Sequence, residues 1–252
     1  MSHWYDREGN PRYEIEGKKG MRNTTLRDAR KHGWVPSVST VWGEIVSKHM
    51  LNKWKETNLM QAMHDEMMLR DSASVILPFS TMEKVARGVF NQKQQDIMMR
   101  GTIVHAHLES FFKTGQVDEE HRPMCEAVKH SLDSVCGPQV WVAEQAFSHK
   151  QGYGGKVDLH SPEWVVDFKT KEFPENPDAK KMVYDDNGVQ LAAYSVGLSS
   201  GTMKVKRLLN IFIDIGSNQV LEWEHEDPAS LYDMFYHALE LWKLIKKYDP
   251  SW

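Results

Sequence analysis

The segment Gly154-Gly155-Lys156-Val157-Asp158 is followed nine residues later by Asp167-Phe168-Lys169. Trp164-Val165-Val166 leads into the second acid, an apolar and β-branched run of the kind that forms a buried strand. In extended backbone successive side chains face opposite ways, so Asp167 and Lys169 share a face and Phe168 turns from it. Two carboxylates and an amine at the edge of a buried sheet suit the capture of a divalent cation and the activation of a water. The expected chemistry is metal-dependent hydrolysis of a phosphodiester. The paired glycines before Asp158 allow a tight backbone and close ligand approach, although a plain hairpin turn would use them too.

Further residues could join this group. His105 and Glu109 stand four apart in a helical pattern, hence on one face, and an imidazole suits a site that also accepts Mn²⁺. A helical histidine is by itself more often a surface or core residue than a ligand. Glu144, in the strand pattern Trp141-Val142-Ala143-Glu144-Gln145, reaches the site if its strand neighbours that of Asp158; otherwise it is an exposed strand glutamate. Gln190 and Tyr194 are also four apart, on a helix whose Ala192 and Ala193 allow close approach to a sheet. Packing alone would explain that run as well.

The elements that must position these groups follow from periodicity. Residues 1–36 carry Gly9, Pro11, Gly17, Gly20, Gly33 and Pro36, and read as an irregular, basic N-terminal arm. Residues 37–252 read as a single domain: 37–137 mainly helical, 138–225 the sheet and its helix, 226–252 a terminal helix. Ser37 to Thr40 offer capping hydroxyls, and Val41, Ile45, Val46, His49, Met50 and Trp54 recur at helical spacing among Lys48, Lys53 and Lys55. Asp71–Pro78 is a break. A second, interrupted helical region runs from about Ser80 to Thr114 and stops at Gly115; a shorter helix spans about Arg122 to Val135. Gln139–Ser148, Gly155–His160 and Trp164–Lys169 read as strands. Lys180–Leu198 reads as one helix ending near Gly197 and Gly201. Lys204–Ile215 and Gln219–His225 form a strand pair, and a helix capped by Asp227-Pro228 runs to about Tyr248. This order gives an α/β class with a central mixed sheet and a helical N-terminal extension.

Bulk properties bound the function classes. At 252 residues, 40% hydrophobic and 26% charged, the chain is an ordinary globular one. It lacks an apolar run long enough for a membrane helix. Met1 to Asp6 show no apolar leader, so a cytoplasmic setting is expected, with no membrane partner. Cys125 and Cys136 read as free thiols and cannot ligate an ordinary iron–sulfur cluster. The net charge of −4 does not advertise a nucleic-acid binder. Gly17 to Lys31, however, gathers Lys18, Lys19, Arg22, Arg27, Arg30 and Lys31 against Asp28 alone, so it is either a phosphate contact or a solvated arm.

Taken in order, His105, Glu144, Gly154-Gly155-Lys156-Val157-Asp158, Asp167-Phe168-Lys169 and Gln190 with Tyr194 resemble the motifs of the PD-(D/E)XK nuclease superfamily in its RecB-like branch. Upstream, Val35-Pro36-Ser37-Val38-Ser39 and Leu51 with Trp54 are similar to the start of phage-type exonucleases and of the mitochondrial genome maintenance exonuclease. The resemblance implies a restriction-endonuclease-like core and a Mg²⁺- or Mn²⁺-dependent deoxyribonuclease using one or two ions. It assigns the metal to His105, Asp158, Asp167 and the main-chain carbonyl of Phe168. Lys169 matches the catalytic lysine, Asp158, Asp167 and Glu144 the catalytic acids, and Glu109 is accessory. Gln190, Tyr194, Ser37, Ser39, Lys53 and Trp54 would support the site or contact DNA. Val157 stands where the family name places proline, and the second acid is Asp167. No nucleotide-binding Gly-rich motif occurs, so a stand-alone exonuclease on DNA ends is expected, serving recombination, repair or end processing. A recombination or single-strand-binding protein would be a partner, and the host cytoplasm the location for a phage enzyme. The alternatives are a structure-specific endonuclease or resolvase, and a non-catalytic DNA-binding recombination protein on the same fold.

Overall fold

The structure, a computed structural model, describes residues 3–46, 49–72, 78–199 and 205–252. Lys48, residues 73–77 of the expected break, Gly201, Lys204 and the side chains of His49, Met50 and Leu51 lie outside the described residues. The chain forms two compact units, one of residues 1–46 with 104–252 and one of residues 47–103. A single domain from residue 37 onward was expected; the compact units divide the chain differently.

The smaller unit holds α3 (His49–Ser72) and the first part of α4 (Phe79–Thr114). Trp54 packs on Phe90 at 6.2 Å between ring centroids, and Lys93 Nζ donates to Asn58 Oδ1 at 3.0 Å. The α4 helix is continuous where an interruption was expected. Gly88 and Gly101 lie inside it, a tolerable cost of about 1 kcal/mol each relative to alanine.

The larger unit is built on one five-stranded sheet in the order β5 (Val142–His149), β6 (Tyr153–His160), β7 (Trp164–Lys171), β8 (Arg207–Asp214) and β9 (Val220–His225). Only the β7–β8 pair is parallel, so the sheet is mixed and the α/β class holds. Two buried clusters occupy its faces. On one side Val157, Val165 and Leu208 meet α2 (Val38–Ile45), α7 (Asp185–Leu198) and α8 (Pro228–Lys246). On the other Trp164, Val166, Phe168, Leu209 and Ile211 meet Val104 and Leu108 of α4 and Val128 and Leu132 of α5 (Arg122–Cys136). Each fully buried aliphatic or aromatic side chain contributes roughly 1.5–3 kcal/mol.

Two expectations are corrected at the ends of this frame. The N-terminal segment is folded. Trp4 and Tyr5 form β1 and pair with Val35 and Pro36 of β4, and Trp4 is buried against Trp242. The supposed breakers serve as turn and cap residues. Gly17 and Gly20 close a hairpin of β2 (Glu14–Gly17) and β3 (Gly20–Asn23), and Gly33, at φ 70°, ends α1 (Leu26–His32). The helix expected over 180–198 is divided into α6 (Ala179–Met182) and α7. Val183 and Tyr184 are extended between them, and Asn187 turns back to accept from the Tyr184 N–H. Helix α2 likewise stops at Ile45 because Val46 is extended. Among the described residues, no helix is long and apolar enough to cross a membrane.

Candidate metal centre

The centre lies where β6 and β7 part. These strands pair only through Leu159 with Val166 and His160 with Val165. Beyond that point the N–H of Phe168 donates to Asp158 Oδ2 at 2.9 Å, so a side chain fills the fork that a backbone ladder would otherwise close. The alternation of β6 breaks here too: Val157 packs in one core cluster and Leu159 in the other, although a regular strand would send both the same way. Opposite, Glu144 on β5 adopts φ 56°, a left-handed conformation costly for a side chain of this size. Strained backbone at this point is what aims Glu144 toward Asp158.

Three elements supply the donors, α4, β5 and β6. His105, on α4, brings Nδ1 to 3.5 Å from Asp158 Oδ2. One ligand atom each of His105, Glu144 and Asp158 falls within 4.8 Å of the others. Asp167 is not in that trio. Lys169 Nζ lies 2.8 Å from its Oδ2 and 3.0 Å from its Oδ1, Gln190 donates to Oδ1 at 3.2 Å, and Asn210 donates to Oδ2 at 2.7 Å. Both oxygens of Asp167 are thus held by donors, while the imidazole and the two acids at the fork form the cluster able to close on a cation.

The electrostatics separate the two aspartates. Burial pushes Asp167 above the ordinary carboxylate range, and repulsion from Asp158 adds to it, against the partial offset of the Lys169 ammonium. Burial pulls Asp158 the same way. There the hydrogen bond and charge of His105, with Lys169 and the Phe168 amide, outweigh it and leave the group below that range. Burial would depress His105 and Lys169, but the facing carboxylates reverse this and hold both above their ordinary values. Glu144 is raised by burial, against its ion pair with Lys156.

The sequence candidates distribute as follows. Gln190 donates to Tyr194 Oη at 3.0 Å as well as to Asp167, so that pair braces the acid from α7. Close packing explains Gly155: a Cβ there would stand 2.6 Å from Tyr194 Cε1. Glu109 pairs with Lys113 at 2.5 Å and lies outside the donor trio, its charge reaching Glu144 and Lys156. Phe168 points its ring into the core against Phe112 and the edge of His105. Ser37 is buried as the N-cap of α2, accepting from the Thr40 N–H at 3.0 Å and touching Ser39 Oγ at 3.1 Å. Its backbone also bridges Gly154, so it supports β6. Lys53 and Trp54 belong to the smaller unit. Within the basic arm, Arg22 grips Asp28 through both guanidinium ends at 2.7 Å and Arg30 donates to the Lys246 carbonyl; Lys18, Lys19, Arg27 and Lys31 are exposed.

Sequence reasoning missed Asn210 and His225. Asn210 is fully buried and accepts at Oδ1 from His225 Nε2 at 2.7 Å. A polar residue inside Leu208-Leu209-Asn210-Ile211-Phe212-Ile213 was the available signal; His225 gave none.

The donor set, an imidazole and two carboxylates converging on a gap in a sheet, fits a divalent cation such as Mg²⁺ or Mn²⁺. No family model matches this chain. No curated protein matches it either. Among solved structures, a chain described as "Crystal structure of SSO0001" is similar at 12% identity with a TM-score of 0.36, over 77% of this chain and 87% of that one.

Proposed function

We propose that this protein is a metal-dependent DNA exonuclease with a restriction-endonuclease-like core of the PD-(D/E)XK type. The observation that carries the reading is the meeting of His105, Glu144 and Asp158 beside an Asp167–Lys169 pair. A bound Mg²⁺ or Mn²⁺ would polarise the scissile phosphate and lower the pKa of a coordinated water. His105, Glu144 and Asp158 would hold that ion, with Asp167 beside them. Lys169, an ammonium tethered to Asp167, orients the attacking water and steadies charge developing on the phosphate oxygens. Gln190 and Asn210 keep Asp167 from rotating away. The exposed Lys18, Lys19, Arg27 and Lys31 offer the strand a positive track.

The test is a time course on end-labelled single- and double-stranded DNA with Mg²⁺, with Mn²⁺ and with chelator, run beside a closed circular single strand. Linear DNA is expected to be degraded with either metal and the circle left intact. Lys169→Ala or Asp167→Ala should lower the rate at least about a hundredfold with circular dichroism unchanged. Full-rate digestion by both variants, or none by the native chain, rejects the reading; cleavage of the circle turns it to an endonuclease.

A further inference from the structure

A second cluster of metal-ligating side chains stands apart from the fork. His107 and His121 stack at 3.7 Å between ring centroids with 13° between planes. Both turn Nδ1 to one carboxylate: Asp118 Oδ1 is 2.7 Å from His121 Nδ1, and Asp118 Oδ2 is 3.5 Å from His107 Nδ1. One ligand atom from each of the three lies within 4.8 Å of the others. From this geometry we propose that His107, Asp118 and His121 form a zinc site that ties α4 to the start of α5.

The donor set decides the class of ion. Two imidazoles and a carboxylate are zinc ligands, with further positions left for water, whereas Mg²⁺ prefers oxygen alone. Ligands about 2.0–2.1 Å from a tetrahedral zinc stand roughly 3.4 Å apart, so this cluster closes on an ion through side-chain torsions. The backbone that carries its members is held in advance. His107 rides between buried Val104 and Leu108 of α4. Asp118 also accepts from the His121 N–H at 2.8 Å, and the loop between the helices is pinned by Ser110 Oγ donating to the Gln116 carbonyl at 2.8 Å. The side chains reach solvent, so an ion can enter without opening the core. His105 and His107 lie two positions apart, about 200° round the helix, so this cluster does not share the imidazole of the fork. An ion here would staple the helical segment that presents His105.

The site is tested by zinc titration of the full-length Asp158→Asn/Asp167→Asn protein in excess Mg²⁺, which weakens the fork as a zinc site. Calorimetry should give one zinc per chain, with a raised thermal midpoint. His107→Ala and His121→Ala should each weaken binding by more than about tenfold and remove the thermal shift. His130→Ala, an exposed imidazole elsewhere on α5, should change neither. Circular dichroism reports whether His121→Ala disturbs α5; if it does, His107→Ala, which leaves the helix cap untouched, decides. Absence of zinc binding, or binding unchanged in His107→Ala, overturns the proposal. These readouts are independent of DNA cleavage, so they stand or fall apart from the nuclease reading.

Discussion

Asn210 donates from Nδ2 to Oδ2 of Asp167 at 2.7 Å, and the two residues face each other in register across the parallel β7–β8 pair. His225 on the next strand donates to the Asn210 carbonyl oxygen, which fixes which way the amide points. A buried relay of this kind positions an acid without touching a ligand.

Asn210→Leu should therefore lower the rate of DNA cleavage by about ten- to a hundredfold. It should also cost about 1–3 kcal/mol of stability, because Asp167 and His225 each lose a buried partner. The check is kcat alongside denaturant midpoints. A variant that loses stability but keeps its kcat would reduce Asn210 to a core residue.

His105 is the softest donor of the proposed metal site. Its replacement by alanine should weaken Mn²⁺ binding more than Mg²⁺ binding, since imidazole favours the transition ion. Metal titrations of cleavage activity with the two ions measure this directly. Unchanged binding of both ions would place His105 outside the coordination sphere.

Glu144 holds its left-handed backbone at a cost of order 1–3 kcal/mol. Glu144→Gly relieves that cost and Glu144→Gln does not, while both remove the charge. The glycine variant should be the more stable of the two by about 1 kcal/mol, with cleavage equally impaired. Comparison of the two thermal midpoints decides it; the reverse order would mean that side-chain packing dominates there.

His225 titrates at about 4, below its ordinary 6.5, because burial disfavours the imidazolium. The unfolded chain takes up this proton as pH falls through 6.5, and the native chain only near 4. Between those values the unfolded state binds more protons, so stability declines as pH falls, and the loss is complete below 4. Allowing for solvent screening, the decline is on the order of 1–2 kcal/mol. Relative to His225→Gln, the native protein should lose that much between pH 7 and pH 4 in urea unfolding series; parallel curves would show that His225 is freely solvated.

Local pattern carried the reading of individual elements. The β-branched run at Trp164 announced β7, the Asp227-Pro228 cap announced α8, and the buried Ala192 and Ala193 belong to a helix laid closely on the sheet as expected. It failed where one residue has two uses. Gly17, Gly20 and Gly33 read as breakers because a glycine in a hairpin turn or a C-cap has the same local signature as one in a loop. Continuity of helical spacing from Val41 to Trp54 also concealed the boundary between the compact units.

For the candidate centre, the inventory was legible in the chain: two acids, an amine on the same face as the second, and an upstream imidazole. Strand alternation and helical spacing are short-range properties that the chain carries unfolded. Folding alone brings Asp158 into a fork between strands, adds Glu144 through strained backbone, and sets Asn210 and His225 to hold Asp167. Those outcomes depend on where β6 stops pairing with β7 and on the register of β7 against β8. Such relations are set by the packing of distant segments into two cores, and no window along the chain contains them.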